Sequence, residues 1–231
     1  MTQQENHTFP FSHPNSYVRF LRDAEAAVAE HLDQLLESIR QERPYPGRWH
    51  PNGFATFRVR LIENLGLIRL HVWPRHMRRR LEGHPEIHRH SFDLYSRVIA
   101  GNYIESQYMM HETDNPLDSA DLKKYTVQPG TGEHLDLLIE SENWTSVNKT
   151  ITRQECPAGS WHDLEAGVYH ATEIPDDTLC ATLAVLGQHH PAGRDVLVGQ
   201  PGFLVTKNTR VLVTDDEIAE MSSQLRTELN L

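Results

Sequence analysis

The sequence predicts a mainly β fold, a sandwich or barrel, with one helix before it and one after it. From residue 54 onward, short runs of strand-forming residues alternate with turn residues, which is typical of all-β domains. The chain has 231 residues, a length at which such a domain commonly forms one unit. We therefore expect a single domain with an arm and helix over residues 1–50, a barrel over 51–213 and a closing helix over 214–231.

The N-terminal helix is predicted for residues 16–42. Apolar residues such as Val28, Leu32 and Leu35 recur there at helical spacing with charged residues between them, and Ser16 is a suitable N-cap. We interpret it as an amphipathic helix that packs on the barrel. The alternative is a dimerisation helix, which would make the protein a homodimer.

Nine runs predict the strands, and a capping box predicts the last helix. Thr214 is followed three residues later by Glu217, the spacing at which a threonine side chain and a glutamate cap each other at a helix start. The predicted strands cover residues 54–62, 66–73, 88–100, 103–110, 133–140, 146–156, 169–174, 178–187 and 202–213.

Charge and composition exclude several classes of protein. The formal net charge of −10 argues against a nucleic-acid partner, which needs a concentrated basic face. No run approaches the ~20 apolar residues of a membrane helix, and the N-terminus lacks the basic and apolar regions of a signal peptide. We expect a cytoplasmic protein in which Cys156 and Cys180 are free, buried thiols.

The segment with the clearest chemical signal contains His88 and His90. With 15 histidines in the chain, chance alone gives roughly one His-x-His pair, so the pair gains meaning only from its position. It opens a strand-like run that ends at Gly101, and residues i and i+2 of a strand point to one face. The two imidazoles can therefore hold one metal ion.

Two histidines compete to be the third ligand. His170 follows the turn at Gly167 and is predicted to begin a hairpin strand, which would hold it rigidly. After His162 the chain turns again within five residues. We assign His170 as the ligand and His162 as a pocket residue beside the metal, with the reverse assignment, and a solvated loop histidine at 162, as alternatives.

These histidines and glycines resemble the two motifs of the cupin superfamily. Gly101 closes the first motif at the family's spacing, but Leu94 stands where the family has a metal-binding glutamate. In the second motif Glu165 replaces the proline and Ile174 replaces the asparagine. The resemblance implies a cupin (jelly-roll) barrel whose metal site lacks the carboxylate ligand.

Within that superfamily, the chain resembles the cysteine dioxygenase-type thiol dioxygenases. The order of Phe57-Arg-Val-Arg, Leu67-Ile-Arg-Leu-His and Ile87-His-Arg-His is similar to the order of elements in that family, which binds iron with three histidines. The family uses an arginine of an early strand to bind the substrate carboxylate. The family's cysteine–tyrosine crosslink has no counterpart that the sequence identifies here.

The resemblance makes three arginines candidates for substrate binding. Arg58 and Arg60, as residues i and i+2 of one predicted strand, share a face, and a guanidinium binds a carboxylate through two hydrogen bonds. Arg69 on the next strand joins them. The alternative is that these alternating side chains point to solvent.

Three neutral histidines leave the charge of the ion uncompensated and three coordination positions free. Such a site suits Fe(II) and dioxygen chemistry on a small anionic substrate, although imidazole also suits Zn, Ni and Cu, and Mn is a further option. We therefore predict a mononuclear iron oxygenase that acts with O2 on a small amino- or thiol-carboxylate. The alternatives are a non-redox metal cupin, such as an isomerase, lyase or decarboxylase, and a binding protein without catalysis.

Tyr103, Tyr169 and His162 complete the predicted site as catalytic residues. The tyrosines lie on or beside the predicted metal-bearing strands, where a phenol can orient a substrate or relay a proton. The alternative for each tyrosine is packing.

Overall fold

In the computed structural model, residues 13–41, 45–113, 122–129, 135–191, 193–202 and 207–231 are described. The chain is mainly β, as predicted. Its helices are α1 (Pro14–Arg40) and α2 (Asp215–Leu229). Its strands are β1 (Gly47–Trp49), β2 (Asn52–Gly53), β3 (Ala55–Ile62), β4 (Gly66–Trp73), β5 (Arg79–Arg80), β6 (Ile87–Arg89), β7 (Leu94–Ala100), β8 (Asn102–Thr113), β9 (Leu122–Pro129), β10 (Leu135–Pro157), β11 (Trp161–Leu164), β12 (Tyr169–Glu173), β13 (Cys180–Gly187), β14 (Asp195–Gly199) and β15 (Lys207–Thr209).

The first large sheet has the strand order β1-β3-β4-β13-β7-β11. One of its faces packs against the two helices. Alternate residues of β4, Ile68, Leu70 and Val72, point to that face. They are buried in one core with Val28 and Leu35 of α1 and with Met221 and Leu225 of α2. Burial of such a side chain contributes about 1.5–3 kcal/mol, so this layer is a main source of stability. The opposite face of the sheet is free to line a cavity.

The second large sheet has the strand order β15-β10-β8-β12-β6-β14-β9, and a further pairing joins β9 to β10. That pairing closes the path from β10 through β8, β12, β6 and β14 back to β9 into a ring. β10 makes this possible because its first part pairs with β9 and its second part with β8. The two strands predicted at 133–140 and 146–156 are therefore one long strand from Leu135, while residues 133 and 134 lie outside the described part.

α1 begins two residues earlier than predicted. Pro14 occupies the first turn, where a missing N–H costs nothing, and His13 is the N-cap, whose ring accepts a hydrogen bond from the Asn15 N–H. The prediction of Ser16 as the cap is wrong, since Ser16 lies inside the first turn and its hydroxyl donates to the carbonyl of His13. Tyr17 ties the helix to β11 through a hydrogen bond of 2.6 Å to Asp163.

The predicted capping box at the start of α2 is confirmed. The Glu217 N–H donates to the Thr214 hydroxyl at 3.3 Å, and the Glu217 carboxylate accepts from the Thr214 N–H at 2.8 Å. The same carboxylate accepts a hydrogen bond of 3.1 Å from the Trp49 indole, which anchors the helix to β1. The predicted strand at 202–213 is described only in part, as β15, because residues 203–206 lie outside the described part of the chain.

The predicted hairpin after His170 is wrong. β12 belongs to the second sheet and β13 to the first, so the chain crosses between the sheets at the turn of residues 175–178 instead of folding back on itself. Cys156 and Cys180 are free and buried, as predicted. No helix in the described part of the chain is both long enough and apolar enough to span a bilayer.

Candidate metal centre

His88, His90 and His170 converge at one point of the second sheet. His88 lies on β6, His90 follows that strand directly, and His170 on β12 is the register partner of His88. One nitrogen of each ring lies within 4.8 Å of the other two. An ion about 2.0–2.1 Å from each nitrogen needs separations of roughly 3–4 Å, so small side-chain rotations suffice. These three histidines could hold one metal ion.

Backbone carbonyls set the orientation of two of the rings. Nδ1 of His88 lies 2.7 Å from the carbonyl oxygen of Glu86, and Nδ1 of His170 lies 3.2 Å from that of Val168. Because a carbonyl oxygen only accepts, each Nδ1 carries the proton and each Nε2 keeps its lone pair. Such an outer hydrogen bond is the usual way in which a protein fixes a histidine ligand.

Burial keeps the three imidazoles neutral. It lowers the pKa of His88, and it holds the pKa values of His90 and His170 well below the usual range, where the neighbouring histidines lower them further. The ring of His90 also stacks on Phe92, with ring centres 4.6 Å apart. Neutral imidazoles with free lone pairs are the form that binds a divalent ion.

Within the described residues, the group of potential ligands contains no carboxylate. Leu94 stands near the rings as part of the cavity wall, and the Asp93 carboxylate accepts a hydrogen bond of 2.8 Å from the Ala166 N–H. The donor set is therefore made of imidazole alone, which fits Fe, Zn, Ni or Cu better than Mg or Ca.

The triad faces a cavity of about 130 Å³ between the two large sheets. A cavity of about that size accommodates a molecule as large as benzene. Both apolar and polar side chains form its wall. The lining includes Phe54, His71, Trp73, Arg78, Arg80, Leu94, Ser96, Tyr103, Glu105, His162, Thr172 and Thr182.

Glu105 is a cavity residue that the sequence did not single out. It lies on β8, is only 1% exposed, and accepts a hydrogen bond of 2.9 Å from the Thr172 hydroxyl through Oε2. Burial raises its pKa to about 8. A single glutamate among many carries no sequence signal, because only the pairing of β8 with β12 places it opposite Thr172, two residues beyond His170.

Tyr103 and His162 line the same cavity, and Tyr169 does not. The rings of Tyr103 and His162 meet edge to face with centres 5.9 Å apart. The Tyr103 hydroxyl is hydrogen-bonded to the side chain of Ser96 and to the thiol of Cys156, its register partner on β10. Tyr169 precedes His170 on the strand and points to the opposite face, where it is buried with Val196.

The three predicted arginines do not share one environment. The prediction that Arg58 and Arg60 share a face is wrong, because a bulge between them pairs Arg58 with Arg69 but Arg60 with Ile68. Both side chains are exposed and lie outside the cavity lining. Arg69 is half-buried on the same face of β4 as His71, a cavity residue, although Arg69 itself is not part of the lining.

Arg78 and Arg80 are the arginines of the cavity wall. The Arg78 guanidinium donates to the carbonyls of Pro74, Pro175 and Thr178, so it ties the crossing between the sheets to the end of β4. Arg80 forms an ion pair of 3.0 Å with Asp176. Both guanidinium groups are therefore already bonded to other residues of the protein, and these bonds stabilise the cavity wall.

Comparison with known proteins gives no family. No protein-family model and no curated protein matches the sequence. Among solved structures, Drosophila melanogaster CENP-C bound to CAL1 is similar over 69% of this chain and 98% of that chain, with 8% identity and a TM-score of 0.34. A protein of unknown function with a cupin-like fold from Ralstonia eutropha is similar over 77% of this chain and 75% of that chain, with 12% identity and a TM-score of 0.29. At these values neither likeness assigns a family or a function.

Proposed function

We propose that this chain is a cupin-type metalloenzyme in which His88, His90 and His170 hold one Fe(II) ion. The substrate is a small carboxylate of the amino- or thiol-carboxylate type, and O2 is the second substrate. The observation that supports this most is the set of three neutral imidazoles, one buried and two half-buried, at the wall of a small cavity, without a carboxylate among them. Another divalent ion, such as Zn, Ni, Cu or Mn, would use the same nitrogens.

The all-histidine donor set favours an anionic substrate. Neutral ligands would leave both positive charges of a bound divalent ion uncompensated, and three protein ligands would leave coordination positions for a carboxylate and for O2. When bound, Fe(II) supplies the one-electron chemistry that activates dioxygen, which no side chain of the protein provides. The residues of the chain contribute by binding the substrate in a cavity of about 130 Å³.

Arg69 lies outside the cavity lining, but its charge would attract the carboxylate toward the face of β4 that carries His71. It shares a face with His71, and its buried Nε has no hydrogen-bond partner among the described residues. Burial and the nearby charges of Arg210 and Arg58 lower its pKa to about 10. Arg69 is half-buried beside these two cations and one carboxylate, Asp136, and a substrate carboxylate would reduce the repulsion that remains.

Metal analysis followed by oxygen uptake tests this proposal. The protein is purified without added metal, its metal content is determined, and the metal-free form is loaded separately with Fe(II) and with Zn(II). The expected result is substrate-dependent consumption of O2 by the iron form only, in a screen of small amino- and thiol-carboxylates. Equal turnover by the zinc form would contradict the oxygenase function.

One observation favours a second candidate, a non-redox metal enzyme such as an isomerase, lyase or decarboxylase. Glu105 has a pKa of about 8, close to neutral pH, and lies near His162, a second titratable group in the same wall. Such a pair suits proton transfer to and from a metal-bound substrate. Turnover by the zinc form without consumption of O2 would select this candidate, and binding without turnover by either form would leave a binding protein.

A further inference from the structure

Two buried polar atoms of the cavity wall face each other without forming a bond. Oε1 of Glu105 and Nε2 of His162 are 3.9 Å apart. Neither atom has a hydrogen-bond partner among the described residues, although the residues are only 1% and 4% exposed. Nearly all buried polar groups of proteins are hydrogen-bonded, so two orphaned atoms at one place indicate a group that binds between them.

The two side chains are not an ion pair. A separation of 3.9 Å exceeds the length of a hydrogen bond, which ends near 3.2 Å. Burial raises the pKa of Glu105 to about 8 and lowers the pKa of His162, so it favours the uncharged form of both groups. The gap is therefore not closed by their mutual attraction.

The geometry of the gap fits one oxygen atom. An atom about 2.8 Å from both Oε1 and Nε2 forms a triangle whose base is the observed 3.9 Å. A hydroxyl group donates one hydrogen bond and accepts others, so with Glu105 protonated it fits either tautomer of His162. An ammonium group only donates and a carbonyl only accepts, so each would fit only some of these states.

We propose that Glu105 and His162 together bind a hydroxyl group of the substrate beside the metal centre. This inference rests on the proposed function, in which a small carboxylate reaches the three histidines, and it adds a hydroxyl to the description of that substrate. The pair acts as a specificity-determining site, which selects a hydroxy-carboxylate over the same carboxylate without the hydroxyl.

The structure holds both side chains in place. Oε2 of Glu105 is fixed by the Thr172 hydroxyl at 2.9 Å, and Thr172 lies on the same strand as His170. His162 lies on β11 in register with Ser96 of β7. Its imidazole ring also packs edge to face against the ring of Tyr103, which restricts rotation of the imidazole. The two atoms come from different sheets, so a hydroxyl between them also sits between the two walls of the cavity.

Cobalt-loaded protein provides the test, since Co(II) absorbs visible light and its bands report ligand binding without turnover. Lactate and propionate are the probes because they differ by one hydroxyl group. The variants are Glu105→Leu, which keeps the volume but removes both hydrogen-bonding atoms, and Glu105→Gln, which keeps them. Thr182→Val, an isosteric change of the cavity wall on the other sheet, is the matched control.

Wild type is expected to prefer lactate over propionate on the order of tenfold more strongly than free Co(II) does, which sets aside chelation by the lactate hydroxyl and leaves the effect of one buried hydrogen-bonded group. Glu105→Leu should abolish that excess with unchanged cobalt content, Glu105→Gln should restore much of it, and Thr182→Val should keep it. A buried carboxyl can be replaced by an apolar group of similar volume without loss of the fold, and cobalt content verifies this.

The outcomes separate the two proposals. If wild type prefers lactate no more strongly than free Co(II) does, or if Glu105→Leu keeps the excess preference, the hydroxyl site is overturned while a carboxylate at the metal stands. If neither probe changes the cobalt bands of wild type, the proposed small-carboxylate function is overturned, and the hydroxyl site falls with it.

Discussion

His88 and His170 are direct partners in the antiparallel pairing of β6 with β12, and their ring centres lie 4.2 Å apart. Directly opposed residues of two strands project their side chains to the same face. The pairing therefore brings together two imidazoles that are separated by more than eighty residues of chain, and His90 at the end of β6 completes the triad.

Replacement of a triad histidine is expected to remove the metal and keep the fold. His88→Ala, His90→Ala and His170→Ala should each weaken metal binding by at least about tenfold, because two nitrogens cannot replace three. The control is His162→Ala, which changes a histidine of the same cavity outside the triad. Metal analysis and circular dichroism provide the measurement, and loss of metal from the His162 variant alone would reverse the assignment.

Glu105 is expected to make the metal-free protein less stable as the pH rises. Folding raises its pKa from 4.5 to about 8, so the folded state holds the proton more tightly than the unfolded chain. The stability that this contributes is complete below pH 4.5 and is lost as the pH rises toward 8.

Glu105→Gln should remove that loss, and its free energy of unfolding relative to wild type should grow by up to ~1.4 kcal/mol per pH unit over this interval. Urea unfolding at a series of pH values measures it. Glu140→Gln, a change at an exposed position, is the control and should follow wild type. Parallel curves for wild type and Glu105→Gln would show that Glu105 titrates alike in both states.

Two glycines with positive φ differ in the space around them. Gly101, at the turn from β7 to β8, has φ +67°, and an added Cβ would lie 1.9 Å from the carbonyl oxygen of Leu179. Gly159 has φ +86°, but nothing lies within 4 Å of its Cβ position. Gly159→Ala should cost only the ~1–2 kcal/mol of a left-handed backbone. Gly101→Ala should cost clearly more, because the backbone at Leu179 must move to make room for the added Cβ. Equal losses of stability for the two variants in thermal unfolding would contradict the predicted clash with Leu179.

Tyr17 is expected to stabilise the contact between α1 and β11. Its hydroxyl donates a hydrogen bond of 2.6 Å to Asp163, so Tyr17→Phe should lower the free energy of unfolding by about 1 kcal/mol. A double-mutant cycle with Asp163→Ala isolates this pair from other effects of each change. A coupling energy near zero would show that the bond does not contribute in solution.

The mainly β fold and the paired histidines could be predicted because both depend on local periodicity. Alternation along a strand placed His88 and His90 near each other without knowledge of any partner strand. The capping box of Thr214 and Glu217 is equally local, since it involves four consecutive residues and their own backbone. Local patterns of this kind can be recognised in a single sequence.

The rule of alternating side chains gave a wrong prediction where a bulge interrupted strand β3. Arg58 and Arg60 were expected to project together, but the bulge at Val59 sends them to opposite sides. One extra residue in a strand moves every later side chain to the other face of the sheet, and nothing in the sequence of β3 predicts the extra residue. Tyr169 is different, since alternation along β12 already sends it to the face opposite its neighbour His170 and so away from the cavity.

The sequence by itself therefore determined the strand-forming pattern, the two helices and the pair at His88 and His90. Only the tertiary structure decided that His170 joins them through β6 and β12, and that Glu105 of β8 and His162 of β11 meet across the cavity. The physical reason is range: side-chain periodicity is a property of a few neighbouring residues, whereas strand pairing depends on contacts between segments far apart in the chain.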